Sequence, residues 1–134
     1  MEQGRLIEIN QEILKLAQNL LKTPIVDASS ASFPKQRGFY LWRSIEDEKI
    51  VYIVVGNGQN GLYGRIRSQH LASSYSKSVF RIKVAKEFRI DVRQECVDFI
   101  CMNFKVAFLS YPEKHVNDAV EKILIAAFRP TYNA

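Results

Sequence analysis

The chain reads as an α/β protein of the α+β kind: a small three-stranded antiparallel sheet flanked by helices, with a helical extension at the N-terminus. Three observations predict this. Apolar residues recur at steps of three and four near both ends, between Leu6 and Leu21 and between Val116 and Phe128, the spacing of helices with one buried face. Gly38 to Arg43 and Ile50 to Val55 are short and rich in aromatic and β-branched residues, and the charged stretch Ser44 to Lys49 between them predicts an antiparallel hairpin. A third such run, Phe104 to Tyr111, alternates in part and completes the sheet.

The elements follow in order. Leu6, Ile9, Ile13, Leu16, Ala17, Leu20 and Leu21 form one face of the first helix, with Glu8, Asn10, Gln11, Lys15, Gln18 and Asn19 opposite. Pro24 ends it, because proline disfavours helix at the residue before it. The small polar stretch from Asp27 to Lys35 is a linker. The reading therefore divides the chain into a helix and linker, 1–34, and a main domain, 35–134. After the hairpin, the glycine-rich run Gly56 to Gly61 is a turn, and Leu62 to Leu71 is expected to be helical with Leu62 and Ile66 inward. A serine-rich break precedes Val79 to Phe88, which suits a helix, although Val79 to Val84 also fits a strand. Asp91 to Asn103 reads as helix. Pro112 is well placed to begin the last helix and Pro130 to stop it.

The 134 residues suffice for one domain with its own core. Cys96 and Cys101 lie five apart in a helix and point to different faces, so they read as small buried apolar residues rather than a disulfide. No apolar run approaches the roughly 20 residues that span a bilayer, and the first residues lack a basic segment followed by an apolar core. A cytoplasmic protein with no membrane partner is the expectation. The net charge is +5, and Arg65, Arg67, Lys77, Arg81, Lys83, Lys86 and Arg89 crowd one stretch opposed only by Glu87. Such an excess favours a polyanionic partner, since basic side chains displace counterions from phosphates. Arg67, Lys77, Arg81 and Lys83 are the residues expected to meet nucleic acid.

Hydrolysis of a phosphodiester needs a nucleophilic water, a cation on the phosphorus centre and stabilisation of the leaving oxygen. Tyr40 and Tyr52 lie on the two paired strands and are expected to share a sheet face. They read either as half-buried sheet aromatics or as phenols that contact or deprotonate a water, which at neutral pH requires a nearby cation. Arg65, after the glycine-rich turn, supplies a cation whose planar fork suits phosphate, and Arg67 could exchange roles with it. His70 is a second base, a phosphate donor or a polar helix end. Glu121 precedes the unbroken apolar run Ile123 to Phe128. A carboxylate there is costly unless paired, solvated or bound to a metal, and Lys122 and Lys114 are candidate ion-pair partners. There is no Gly-Lys-Ser/Thr phosphate loop, and two histidines and two cysteines are too scattered for zinc.

In this order and at these distances the pieces resemble the GIY-YIG nuclease domain across Arg37 to Asn133, with the first helix left as an extension. Gly38-Phe39-Tyr40 stands for the first tripeptide, with phenylalanine for isoleucine. Tyr52-Ile53-Val54 stands for the second, with valine for glycine and Gly56 two residues later. Leu62-Tyr63-Gly64-Arg65 matches the segment that carries the family's arginine. His70 follows at five residues where the family has four. Glu121 through Pro130 to Asn133 matches the late glutamate, apolar turn, proline and terminal asparagine. The resemblance implies a metal-dependent endonuclease: Glu121 holding Mg²⁺ or another divalent cation, Tyr40 or Tyr52 activating water, Arg65 on the phosphate, His70 and Asn133 completing the site, and nucleic acid, DNA before RNA, as substrate. The alternative on the same fold is an inactive nucleic-acid-binding or protein-interaction module. The N-terminal helix could pack on its own sheet, dock on a partner or form a homodimer.

Overall fold

The computed structural model describes residues 1–71 and 78–134, with residues 68 and 69 described in their backbone alone. It is α+β with a three-stranded antiparallel sheet. The first helix, α1 (Glu2–Lys22), begins four residues before the apolar periodicity does. Ala17 and Leu20 are its fully buried residues, and its second half packs on the last helix and the third strand. The linker then joins the sheet locally. Val26 and Val106 exchange backbone hydrogen bonds of 2.8 and 3.0 Å in an isolated antiparallel bridge.

The strands are β1 (Gly38–Ser44), β2 (Ile50–Gly56) and β3 (Phe104–Ser110), in spatial order β2-β1-β3. Alternation sorts β1 cleanly. Phe39 and Leu41 join a cluster with Ala17, Leu20, Ala107, Val116, Val120 and Leu124. Tyr40 and Trp42 join one with Phe80, Val84, Ile100, Phe104 and Tyr132. In β2 the register shifts between Trp42 and Arg43. Trp42 faces Tyr52 and Arg43 faces Ile50, so Val51 is the extra residue of a bulge. The bulge lets Ile50 pack with the first cluster while Val51 and Tyr52 both face the second. Without it, strict alternation from Ile50 would turn Tyr52 away from Tyr40.

Beyond β2 the chain forms one helical turn, α2 (Gly61–Tyr63), which runs into a π-helix over Gly64–His70. Gly61 is required here: its φ is +54°, and a Cβ would lie 2.1 Å from the Gln36 carbonyl oxygen. That oxygen accepts the Leu62 N–H at 2.9 Å, pinning the turn to the linker. Gly38 is equally constrained, since a Cβ would lie 2.2 Å from the Leu109 carbonyl oxygen across the sheet.

Val79–Phe88 is a helix, α3, capped by Ser78, whose hydroxyl oxygen accepts the Arg81 N–H at 3.2 Å. α4 (Gln94–Asn103) starts later than the sequence suggests, because the Asp91 carboxylate instead accepts the Arg93 N–H at 2.8 Å and forms a loop turn. Cys96 and Cys101 on this helix are free thiols, the first buried. α5 (Lys114–Phe128) ends at Arg129 in a left-handed conformation, and a short 3₁₀ turn over Thr131–Asn133 follows Pro130. Among the described residues no helix is long and apolar enough to cross a membrane.

Candidate active site

The polar residues singled out above converge along β2, on the aromatic face of the sheet. Tyr40 and Tyr52 share that face, but their direct cross-strand partners are Val54 and Trp42. The two phenols are therefore diagonal neighbours, which long side chains can still bridge. Leu62 and Ile66 are wholly buried beneath the π-helix, and between them Arg65 stands beside both rings. Burial pushes the Tyr40 phenol well above the usual tyrosine range, the Arg65 charge pulls it part of the way back, and Tyr52 and Glu121 push it up again. Tyr52 is raised for the same leading reason, with Arg65 again opposing and Glu121 reinforcing. Burial disfavours the Arg65 charge, but the two phenols outweigh that and its pKa rises. Its Nε is buried without a hydrogen-bond partner among the described residues, a donor left over for something else.

His70 is wholly buried at the end of the π-helix. Its Nε2 lies 2.6 Å from the Tyr40 hydroxyl and its Nδ1 lies 2.7 Å from the Ser78 hydroxyl. Burial, reinforced by the charges of Arg65 and Arg81, lowers its pKa to about 3, so the ring is neutral at physiological pH. The π-helix bears on the five-residue spacing. Its hydrogen bonds close i→i+5 loops, so each turn takes up one more residue than an α-turn. A histidine five positions after Arg65 thus occupies the place that four positions would reach in an α-helix.

α5, from the other side of the sheet, and the C-terminal turn, whose Tyr132 joins the aromatic face, bring two side chains to the free edge of β2. Glu121 has a side chain only 13% exposed. One of its oxygens accepts the Val55 N–H at 3.1 Å, and the other lies 3.4 Å from the Lys122 ammonium. Asn133 completes Ile53 from both ends, accepting its N–H at 2.8 Å and donating to its carbonyl at 2.7 Å. One turn earlier on α5, Asp118 accepts from the Asn57 amide at 2.9 Å, which fixes the start of the glycine-rich turn.

The basic residues expected to meet nucleic acid have other employment. Arg81 is wholly buried, and its guanidinium donates to the Val92 and Arg93 carbonyls, the closest at 2.8 Å. It braces the loop between α3 and α4 and is not a phosphate-facing side chain. Arg67 donates to the Ala28 carbonyl at 3.2 Å and lies on the linker side of the helix rather than beside the phenols. The Lys83 ammonium donates to the Tyr132 carbonyl at 3.2 Å and to an Ala134 oxygen, steadying the segment that delivers Asn133. Lys77 lies outside the described residues. Val54, the valine that the resemblance sets against a glycine, packs directly across from Tyr40 and is buried.

Sequence reasoning missed two contributors. Ser78, the partner of His70, was legible only as a serine preceding an apolar helix. The Val51 bulge that turns Tyr52 toward Tyr40 has no composition signal, since Ile50-Val51-Tyr52-Ile53-Val54-Val55 is apolar throughout. Comparison of the chain with protein-family models, with curated proteins and with solved structures returns no match in any of the three.

Proposed function

We propose that this chain is a metal-dependent endonuclease of the GIY-YIG type, a cytoplasmic enzyme that hydrolyses phosphodiester bonds in nucleic acid, DNA above all. The observation that carries the reading is the convergence of Tyr40, Tyr52, Arg65 and His70 on one sheet face with Glu121 and Asn133 at its edge. Glu121 suits a divalent ion. Its carboxylate is oriented by a backbone N–H, and among the described residues its second oxygen faces only an ammonium on an exposed lysine. Among the described residues no group of three or more acidic, histidine or cysteine side chains gathers. A single carboxylate supplemented by water and substrate oxygens is a common way of holding Mg²⁺. When bound, the ion would supply positive charge to the phosphate and the leaving oxygen.

The chain's own residues divide the remaining work. In hydrolysis, a water oxygen forms a bond to phosphorus, the bond from phosphorus to the leaving oxygen breaks, and the water's proton passes to a base. Burial keeps both phenols protonated in the free protein. A tyrosine must therefore lose its proton before it can act as that base, and Arg65 favours the resulting phenolate. The spare Arg65 donor fits a phosphate oxygen as its partner, which would neutralise charge that develops on the phosphorus centre. Asn133 holds the strand that carries Tyr52.

The test is incubation with supercoiled plasmid and with branched DNA, with Mg²⁺ or EDTA, beside Glu121→Ala. The expected result is nicking that requires the metal and falls at least roughly hundredfold in the variant, with DNA binding retained. Cleavage by Glu121→Ala at the wild-type rate would sink the metal assignment. Salt-sensitive binding without nicking would favour a module that holds nucleic acid without cutting it. One observation favours a protein-interaction reading as the second choice: Leu6 and Ile7 are 68% and 59% exposed on the first turns of α1. Association through that helix, with a partner or a second copy, would be largely insensitive to salt.

A further inference from the structure

Asn57 opens the glycine-rich turn and meets two consecutive residues of α5. Its amide nitrogen donates to Asp118 Oδ1 at 2.9 Å, and its amide oxygen accepts from Asn117 Nδ2 at 3.0 Å. Asn117 is wholly buried, and the same Nδ2 donates to the Tyr111 carbonyl at 2.8 Å. That carbonyl settles the direction of the whole set, because it accepts and cannot donate. Asn117 must turn its nitrogen toward it, Asn57 must then offer its oxygen to Asn117, and the Asn57 nitrogen is left facing the Asp118 carboxylate. Turning both amides over would set oxygen against oxygen at Tyr111 and at Asp118, keeping only the bond between the asparagines. Asn117 Oδ1 stays without a partner among the described residues, a cost that the other bonds offset.

The clamp lies between two parts of the proposed site. Glu121 follows Asn117 and Asp118 at the next turn of α5, and it holds the Val55 N–H just before Asn57. Beyond Asn57 the turn closes on itself. The Gly61 N–H donates to the Gly58 carbonyl at 3.0 Å, and a Cβ on Gly56 would lie 3.0 Å from the Gly61 carbonyl oxygen. A shift at Asn57 is therefore passed to Gly61 and Leu62, at the head of the helical segment that carries Arg65.

We propose that Asn57 is a positioning residue: with Asn117 and Asp118 it ties the segment that carries Arg65 to the helix that carries Glu121, and so fixes the separation of those two groups. The clamp stands on its hydrogen bonds, and its bearing on catalysis rests on the nuclease reading above. In that reading a cation and a metal-holding carboxylate act on one phosphate from different elements, and a displacement of about 1 Å costs a large factor in rate.

Reversing the central bond tests this. Asn57→Asp sets a carboxylate against Asp118 and is expected to lower kcat for plasmid nicking roughly tenfold to hundredfold, with KM for DNA little changed. Adding Asp118→Asn supplies a donor to the new carboxylate while Asn117 still donates to it, and kcat is expected to return to within about threefold of the wild type. A folded Asn57→Asp that cuts at the wild-type rate, or a folded double variant as slow as the single one, overturns the proposal. If Asn57→Asp does not fold, Asn57→Ala replaces it, since it removes both bonds without the repulsion, with the same expected fall and the same overturning result. Side-chain amide NMR on the wild type reads the clamp without catalysis. The Asn57 and Asn117 amide protons are expected to exchange more slowly than those of Asn60, which is exposed on the same turn. Equal exchange overturns the proposal. Slow exchange in a wild type that cuts no nucleic acid supports the clamp and overturns the nuclease reading instead.

Discussion

On one face of the sheet, Phe39, Leu41, Ile53 and Ala107 meet Ala17, Leu20 and Leu124 from α1 and α5. On the other, Tyr40, Trp42 and Tyr52 meet Phe80 and Tyr132, with His70 set edge-on to four of these rings. The same three strands supply both faces by alternation, broken at Val51 and Tyr52, which share the aromatic face. The aliphatic face makes contacts without preferred direction, and its stability comes from area removed from water. The aromatic face fixes orientation. Tyr52 stacks on Phe80 with ring centroids 5.0 Å apart and planes 7° from parallel, and polar tips must find partners inside the packing. Tyr40 does so through His70, whereas Trp42 Nε1 is buried without a partner among the described residues. One face holds the sheet together and the other aims groups across it.

Four variants break or sharpen that contrast. Leu41→Ala opens a cavity in the aliphatic face and is expected to cost about 3 kcal/mol in urea unfolding, while leaving in place the pH dependence of stability that His70 supplies. Asn133→Ala, at the edge where the faces meet, removes both side-chain bonds to Ile53. It should lower stability by about 2 kcal/mol, and a smaller loss would mean water replaces the amide well. His70→Gln tests the aromatic face through pH. The folded ring stays neutral down to about pH 3, whereas the unfolded ring takes a proton below its ordinary 6.5. The unfolded state therefore binds more protons between those limits, and stability falls as pH drops through that window. The wild type is expected to lose about 2 kcal/mol from this group between neutral pH and pH 5, and His70→Gln should lack that increment in parallel unfolding curves. Trp42→Phe trades a little volume for removal of the unpartnered N–H. Its cost should be the smallest of the four, below about 1.5 kcal/mol by thermal unfolding.

Most of the fold was legible because it is written in periodicity. Helical spacing located α1 and α5, the hairpin followed from two β-branched runs around a charged stretch, and Pro130 ended the last helix where the structure ends it. The ambiguity at Val79 to Val84 had a local cause, since that helix buries Phe80, Arg81, Val84 and Ala85 and leaves Val79 and Ile82 exposed, a pattern that no amphipathic stripe announces. The residues singled out on β1 and α5 could be placed because each sits on a regular element whose face is set by spacing, whereas Tyr52 on β2 owes its face to the bulge at Val51. The basic stretch could not. Charge in a sequence says that a side chain is ionised, not what it touches, and Arg81 and Lys83 turned inward to carbonyls that come from loops. The π-helix was equally hidden, as nothing in the residue types of Gly64–His70 announces an i→i+5 hydrogen-bond pattern.

The caps on β2 have a consequence for how the protein behaves in a crowd. An outer strand with unpaired N–H and C=O groups is a template on which another chain can continue the sheet, which is how edge-to-edge aggregation begins. Asn133 occupies both groups of Ile53, and Glu121 occupies the N–H of Val55. Two residues of the proposed site thus also act as gatekeepers. Variants made to silence the site will uncover part of that edge, and their solubility is a reading of how well it was closed.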